Sequence, residues 1–326
     1  MRRSEAARPG SSRYVSCTSF RRIEEQNLEL ADLRDRFPAL DGLLVRIIGF
    51  FAPRRVVLAA SDRVLSLAWW DQGEQQIIHL DLPPDLCAKG VPFQRQVLAD
   101  MVADLLVEQG VAPVTVDLEL LLPFPSCHWR LLEGAPGLED AISLRAIAPE
   151  MKWPLQWTES YLALTSLKDK EMAMVVGVDR LTLQAWIDTV ALADLNLCQA
   201  EWLLVAAWRA LQALNAPLKG EWAWLIESEG VWRFVLLCDG LPELDVGLQA
   251  TQLPSIREEV LFLLEAWDQK QRQAGARRSW WITAGPRWKG RWAEGHGAGL
   301  QGPLVSDGEM SLLQLALKAP PAEIAA

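Results

Sequence analysis

Cys127 and His128 stand side by side in PSCHWR, and a thiol beside an imidazole is the pairing that cysteine nucleophiles use. Adjacency defeats it in an extended segment, because successive side chains point to opposite faces. His128 therefore reads as a structural histidine, and His79 and His296 are isolated. Asp71-Gln72-Gly73 and Asp239-Gly240 read as turns, Glu139-Asp140 reads as a helix start, and Gly295 to Gly299 lacks the Lys-Ser/Thr of a phosphate loop. Five cysteines, Cys17, Cys87, Cys127, Cys198 and Cys238, are scattered singly without a CxxC pair or a metal-ligand spacing. Such a set favours reduced thiols in a cytoplasmic protein.

A second cluster points to a different chemistry. In RRSWWITAGPRWKGRW, Arg277, Arg278, Arg287, Lys289 and Arg291 interleave with Trp280, Trp281, Trp288 and Trp292, the combination that neutralises a nucleic-acid backbone and stacks its bases. Trp280 and Trp281 also fit a buried strand followed by a solvated basic loop, and that reading is preferred. A net charge of −10 and a pI near 5.0 argue against general affinity for nucleic acid or anionic membrane. Sixteen tryptophans against two tyrosines read mainly as core residues, with exposed ones as candidate partner anchors.

The elements that would carry these residues follow from the periodicities. Met1 to about Arg36 is rich in Arg, Ser and Glu, and is expected to be disordered or loosely helical. The apolar run Leu43 to Ala52 is interrupted by Arg46 and is far short of the roughly 20 residues that cross a membrane. RVVLAAS, RVLSLAWW and QQIIHLDL read as a β-meander, FQRQVLADMVADLLVEQG as a helix ending at Gly110, and Val114 to Leu122 as a strand. Leu138 to Ala148 reads as a helix, Thr158 to Ser166 and Glu171 to Val178 as a two-stranded ribbon, and Arg180 to Asp194 and Gln199 to Leu214 as two further helices. A second meander, GEWAWLIES, GVWRFVLLCDG and LPELDVGLQ, is followed by a helix from Ser255 to Gln273 and a strand from Ser279 to Ala284. Strand, strand, strand, helix, strand thus occurs twice, and Leu312 to Lys318 is a last apolar piece.

This order, above all the stretch from Leu121 to Leu197, resembles the PilM family of type IV pilus assembly proteins and the related cytoplasmic part of the secretion protein GspL. The resemblance implies an actin-like α/β fold, a duplicated ribonuclease-H-like body with an inserted β-β-α subdomain and a reduced second lobe. The expected division is an N-terminal extension (1–50), a first lobe (51–137 and 196–215), the inserted subdomain (138–195), a shortened second lobe (216–318) and a tail (319–326). Actin-like ATPases hold Mg-ATP between the lobes with an Asp-x-Gly hairpin from each lobe and a Gly-Gly turn. Matching the strand patterns puts Leu58 at the first acid and Ala60 at the first glycine, leaves Glu227 in the second hairpin, and sets Gly285 where the Gly-Gly turn would be.

The implied protein is a cytoplasmic scaffold without ATP hydrolysis, catalytic residues, metal or cofactor, reaching the inner membrane through a partner. Gly285 and the Gly-rich stretch after it leave residual ATP binding open. The implied partner is the cytoplasmic tail of a PilN-like inner-membrane protein, with Trp153, Trp157 and Tyr161 as candidate groove walls. Assembly motors and ring components are further expected partners, and self-association is open. The alternatives are an active actin-like ATPase or sugar-kinase-like enzyme, and a nucleic-acid-contacting protein of DNA uptake. The choice among pilus, competence and secretion roles is not made by these residues.

Overall fold

Apolar alternation bounded by turn residues produces the first meander. β1 (Arg54–Ala60), β2 (Val64–Asp71) and β3 (Glu74–Asp81) pair antiparallel, and their inward positions Val56, Leu58, Leu65 and Leu67 are all at most 1% exposed. Each such side chain stabilises the fold by about 1.5–3 kcal/mol through burial. In this computed structural model the described residues are 53–71, 74–133, 155, 159–167, 172–214, 219–228, 230–271, 278–284 and 311–319. Contacts divide the chain into Met1–Pro53 and Arg54–Ala326, and every element named here belongs to the second unit.

The short ladder β4 (Cys87–Ala88) and β5 (Val91–Pro92) leads into helix α1 (Arg95–Glu108), which buries Leu98, Ala99, Val102, Leu105 and Leu106. The chain returns as β6 (Val116–Leu122), parallel to β1. β7 (Cys127–Glu133), β8 (Ser160–Leu167) and β9 (Met172–Asp179) form a separate antiparallel sheet in the order β7-β9-β8. The expected two-stranded ribbon is therefore a three-stranded sheet, because the segment after Pro123 and Pro125 pairs along its length with β9. Helix α2 (Arg180–Leu192) starts at Asp179, whose carboxylate accepts the Leu181 and Thr182 N–H groups.

The helix expected over 199–214 begins four residues later. Asn196–Trp202 is β10, parallel to β6, and only Leu203–Leu214 is helix α3. β10 lacks β-branched residues and carries an irregular register between Leu197 and Gln199, so pairing with β6 rather than intrinsic propensity makes it a strand. The first sheet is then β10-β6-β1-β2-β3.

The second meander, β11 (Glu221–Ser228), β12 (Val231–Cys238) and β13 (Leu241–Leu248), is followed by helix α4 (Leu253–Gln271) and by β14 (Ser279–Thr283), parallel to β11. Its order, β13-β12-β11-β14, repeats that of the first sheet without a counterpart of β10 among the described residues. Helix α5 (Leu312–Ala316) packs on α3 and opens with a capping box between Ser311 and Gln314. The expected helix 138–148, the N-terminal extension and the tail beyond 319 lie outside the described residues.

Gly90 binds the first lobe to the small sheet's helix. Its N–H and that of Lys89 donate to Asp62 at 2.8 Å, and its carbonyl accepts Trp186 Nε1 at 2.9 Å and Ser126 Oγ at 3.3 Å. Its φ is +77°, and a Cβ there would meet Ser126 Oγ at 2.1 Å and Pro123 Cβ at 2.9 Å. Gly90→Ala is expected to cost about 1–3 kcal/mol by overpacking, read from urea denaturation.

Candidate binding site

The hairpin positions that the family resemblance assigns to a nucleotide are placed as follows. Leu58 and Ala60 are buried, at 1% and 5% exposure, paired across β1 and β2 with Leu67 and Leu65. Asp62 is engaged by the Lys89 and Gly90 amides. Glu227 is buried, and its carboxylate accepts the Gly230 N–H at 2.6 Å within its own hairpin. Trp224 Nε1, from the middle of β11, donates to Thr283 Oγ1 on β14 at 2.8 Å. Gly285 lies outside the described residues, as do Trp153 and Trp157. Tyr161 is placed on β8, an edge strand of the small sheet, where it is 40% exposed and lies 5.3 Å from the Arg180 guanidinium. Among the described residues no group of His, Cys, Asp and Glu is arranged to hold a metal ion.

Cys127 and His128 are separated as strand geometry requires. Cys127 is buried in the core, where burial pushes its thiol pKa far up. His128 instead lines a cleft of about 450 Å³ between β7 and the β12–β13 hairpin, together with Arg130, Arg233, Glu243 and Asp245. The floor of this cleft is a polar knot. Trp129 Nε1 donates to Asp245 Oδ2 at 2.6 Å, and Arg233 donates to both oxygens of the same carboxylate. The Arg233 guanidinium also lies 5.1 Å from the Trp202 ring and 5.4 Å from the Phe124 ring. Trp129 meets Trp202 and Trp208 edge to face, at 5.3 and 6.3 Å. Trp208 Nε1 and Gln212 Nε2 both donate to the Gly240 carbonyl, at 2.9 and 3.1 Å. The small sheet, the first lobe and the second lobe thus converge on one hairpin. Sequence reasoning missed this knot, since Trp129 and Asp245 lie 116 residues apart and only the buried Trp pattern hinted at them.

A smaller hollow of about 250 Å³ lies over β1 and β6, lined by Trp70, Arg55, Glu119, Arg209 and Leu317. Two ion pairs border it, Arg55–Glu119 and Arg209–Glu201, and burial raises the Glu201 pKa against the opposing pull of Arg209. In the Trp-basic segment, Arg278 is drawn inward onto Asp268 and Glu221, and Trp280 is buried. Arg277, Arg287, Lys289, Arg291, Trp288 and Trp292 lie outside the described residues.

Two sheets of like strand order, joined through α3 and α5 and interrupted by a small inserted sheet, make this an actin-like α/β fold of duplicated ribonuclease-H-like lobes. Solved structures share it. The chain is similar to a chain of a PilM-PilN type IV pilus biogenesis complex, with a TM-score of 0.57 and 14% identity over 73% of this chain and 83% of that one. It is also similar to a Bacteroides thetaiotaomicron protein with an actin-like ATPase fold and unknown function, with a TM-score of 0.54 and 8% identity over 84% and 98% of the two chains. At these identities the likeness is one of fold. No family model and no curated protein matches the sequence.

Two expectations follow from the knot. Asp245→Ala strands Arg233 and the Trp129 N–H in a site where the paired side chains are 14% and 16% exposed, and is expected to cost about 3–5 kcal/mol in urea denaturation, with Asp245→Asn milder. Burial, aided by Arg233 and opposed by Asp245, lowers the His128 pKa below its ordinary 6.5. The unfolded chain then binds more protons just below that value, so stability falls as the pH drops through that window and is fully present above it. Denaturation midpoints taken across the window should lose this slope in His128→Gln.

Proposed function

We propose that this chain is a cytoplasmic actin-like adaptor of a type IV pilus, or of a related competence or secretion machine. In this reading it holds the cytoplasmic tail of a PilN-like inner-membrane protein and does not hydrolyse ATP. The observation that carries the reading is the actin-like fold, which a chain of the PilM-PilN complex shares over 73% of this chain. No described helix is long and apolar enough to cross a membrane, and in this reading membrane contact comes through the partner. Assembly motors or ring components would be reached through the same partner.

The state of the hairpins supports a role without hydrolysis. Mg-ATP needs an acid that organises the metal and backbone that approaches phosphate closely. Leu58 and Ala60 are apolar and buried, Asp62 is held by two backbone amides, and Glu227 caps its own turn. Recruiting Asp62 or Glu227 to a metal would break those bonds.

Calorimetry of the full chain with Mg-ATP, then with a synthetic PilN-like cytoplasmic tail, tests both halves of the proposal. The expected result is no heat with nucleotide and a micromolar isotherm with peptide. Heat with Mg-ATP and none with peptide would make the chain a working nucleotide-binding relative and end the adaptor reading.

A further inference from the structure

The cleft between β7 and β13 has the features of a strand-sized slot. β7 is an edge strand of the small sheet and β13 is an edge strand of the second-lobe sheet, so each presents a side that no described strand pairs. Edge backbone of this kind is a template for an added strand. His128 to Leu131 line one wall and Pro242 to Asp245 the other. Four residues of strand offer roughly 13 Å of edge, enough to pair about four residues of an extended chain. The Trp129–Asp245 hydrogen bond links the two walls.

The walls differ in charge. Arg130 stands exposed on the β7 side and Glu243 exposed on the β13 side, while Asp245 and Arg233 neutralise one another in the floor. Glu243 belongs to a chain of net charge −10, which attracts a basic partner. Cytoplasmic segments next to membrane spans carry an excess of Lys and Arg, so the tail of an inner-membrane protein has the complementary chemistry.

Resting on the adaptor reading, we propose that the partner's juxtamembrane tail docks in this cleft as an added strand, with a basic side chain on Glu243 and its main chain on the edges of β7 and β13. Tyr161 lies on β8, the opposite edge of the small sheet, and is not part of this site. Strand addition draws affinity from the backbone and selectivity from side chains, so one charge orients the tail and fixes its register.

The test titrates the full chain and Glu243→Lys with the synthetic PilN-like tail and with the same peptide carrying Glu in place of its Lys and Arg. Glu243 is exposed, so the variant keeps the fold, and circular dichroism checks that it does. The native tail should bind Glu243→Lys roughly tenfold more weakly than the wild type, and the charge-reversed tail should recover binding to the variant. Methylating single peptide nitrogens of the native tail should weaken binding at every position of the paired stretch, because successive N–H groups turn to β7 and β13 alternately; a loss at every second position only would leave one edge unused and overturn the two-edged slot. Wild-type-like binding to Glu243→Lys, together with loss in Tyr161→Ala, overturns the cleft and leaves the adaptor reading standing. No binding of the native tail to the wild-type chain overturns both.

Discussion

The carboxylate of Asp245 is the point on which three bodies depend. It comes from the second lobe, accepts the Trp129 indole N–H of the small sheet, and fixes the Arg233 guanidinium against two aromatic rings of the first lobe. A partly buried ion pair contributes little net stability by itself, since desolvation offsets most of the attraction. Its value here is directional. Both Arg233 donors and the Trp129 donor must meet one planar group, so the angle between the sheets is restricted in a way that apolar contact would not impose. Trp208 and Gln212 add a second constraint on the same hairpin through the Gly240 carbonyl.

Tryptophan is suited to such joints because it combines a large apolar face with one donor that must be satisfied when buried. Trp186, Trp202, Trp224 and Trp208 are each buried and each finds an acceptor on another element. The abnormal tryptophan content is thus explained largely by packing, and the excess over tyrosine goes with deep burial. Trp70, 47% exposed at the end of β2, is of the other kind.

Much of the fold was legible in the residues. Both meanders, helices α1, α2 and α4 and the repeated element order follow from period-2 and period-3.6 patterns with turn residues between them. β10 was not legible, because Asn-Leu-Cys-Gln-Ala-Glu-Trp has no strand preference and runs straight into a strongly apolar helix. β7 was obscured by the prolines ahead of it. Leu58, Ala60 and Glu227 lie on β1 and β11, as the strand patterns of both meanders require. The cleft was not legible at all. Its walls come from strands more than a hundred residues apart, and nothing local in His128, Arg130 or Glu243 announces that they face a common space.

β10 has a consequence for how the chain reaches its native state. It completes the first sheet by pairing Asn196 with Asp117, so the first lobe is discontinuous and closes around the whole inserted sheet and α2. The second-lobe sheet runs from Glu221 to Thr283 in one continuous stretch, mostly as neighbouring hairpins. Loop-closure entropy and contact order therefore favour quick formation of the lobe that leaves the ribosome last. The lobe that emerges first must wait, with the edge of β6 open, until the insert has been made and folded out of its way.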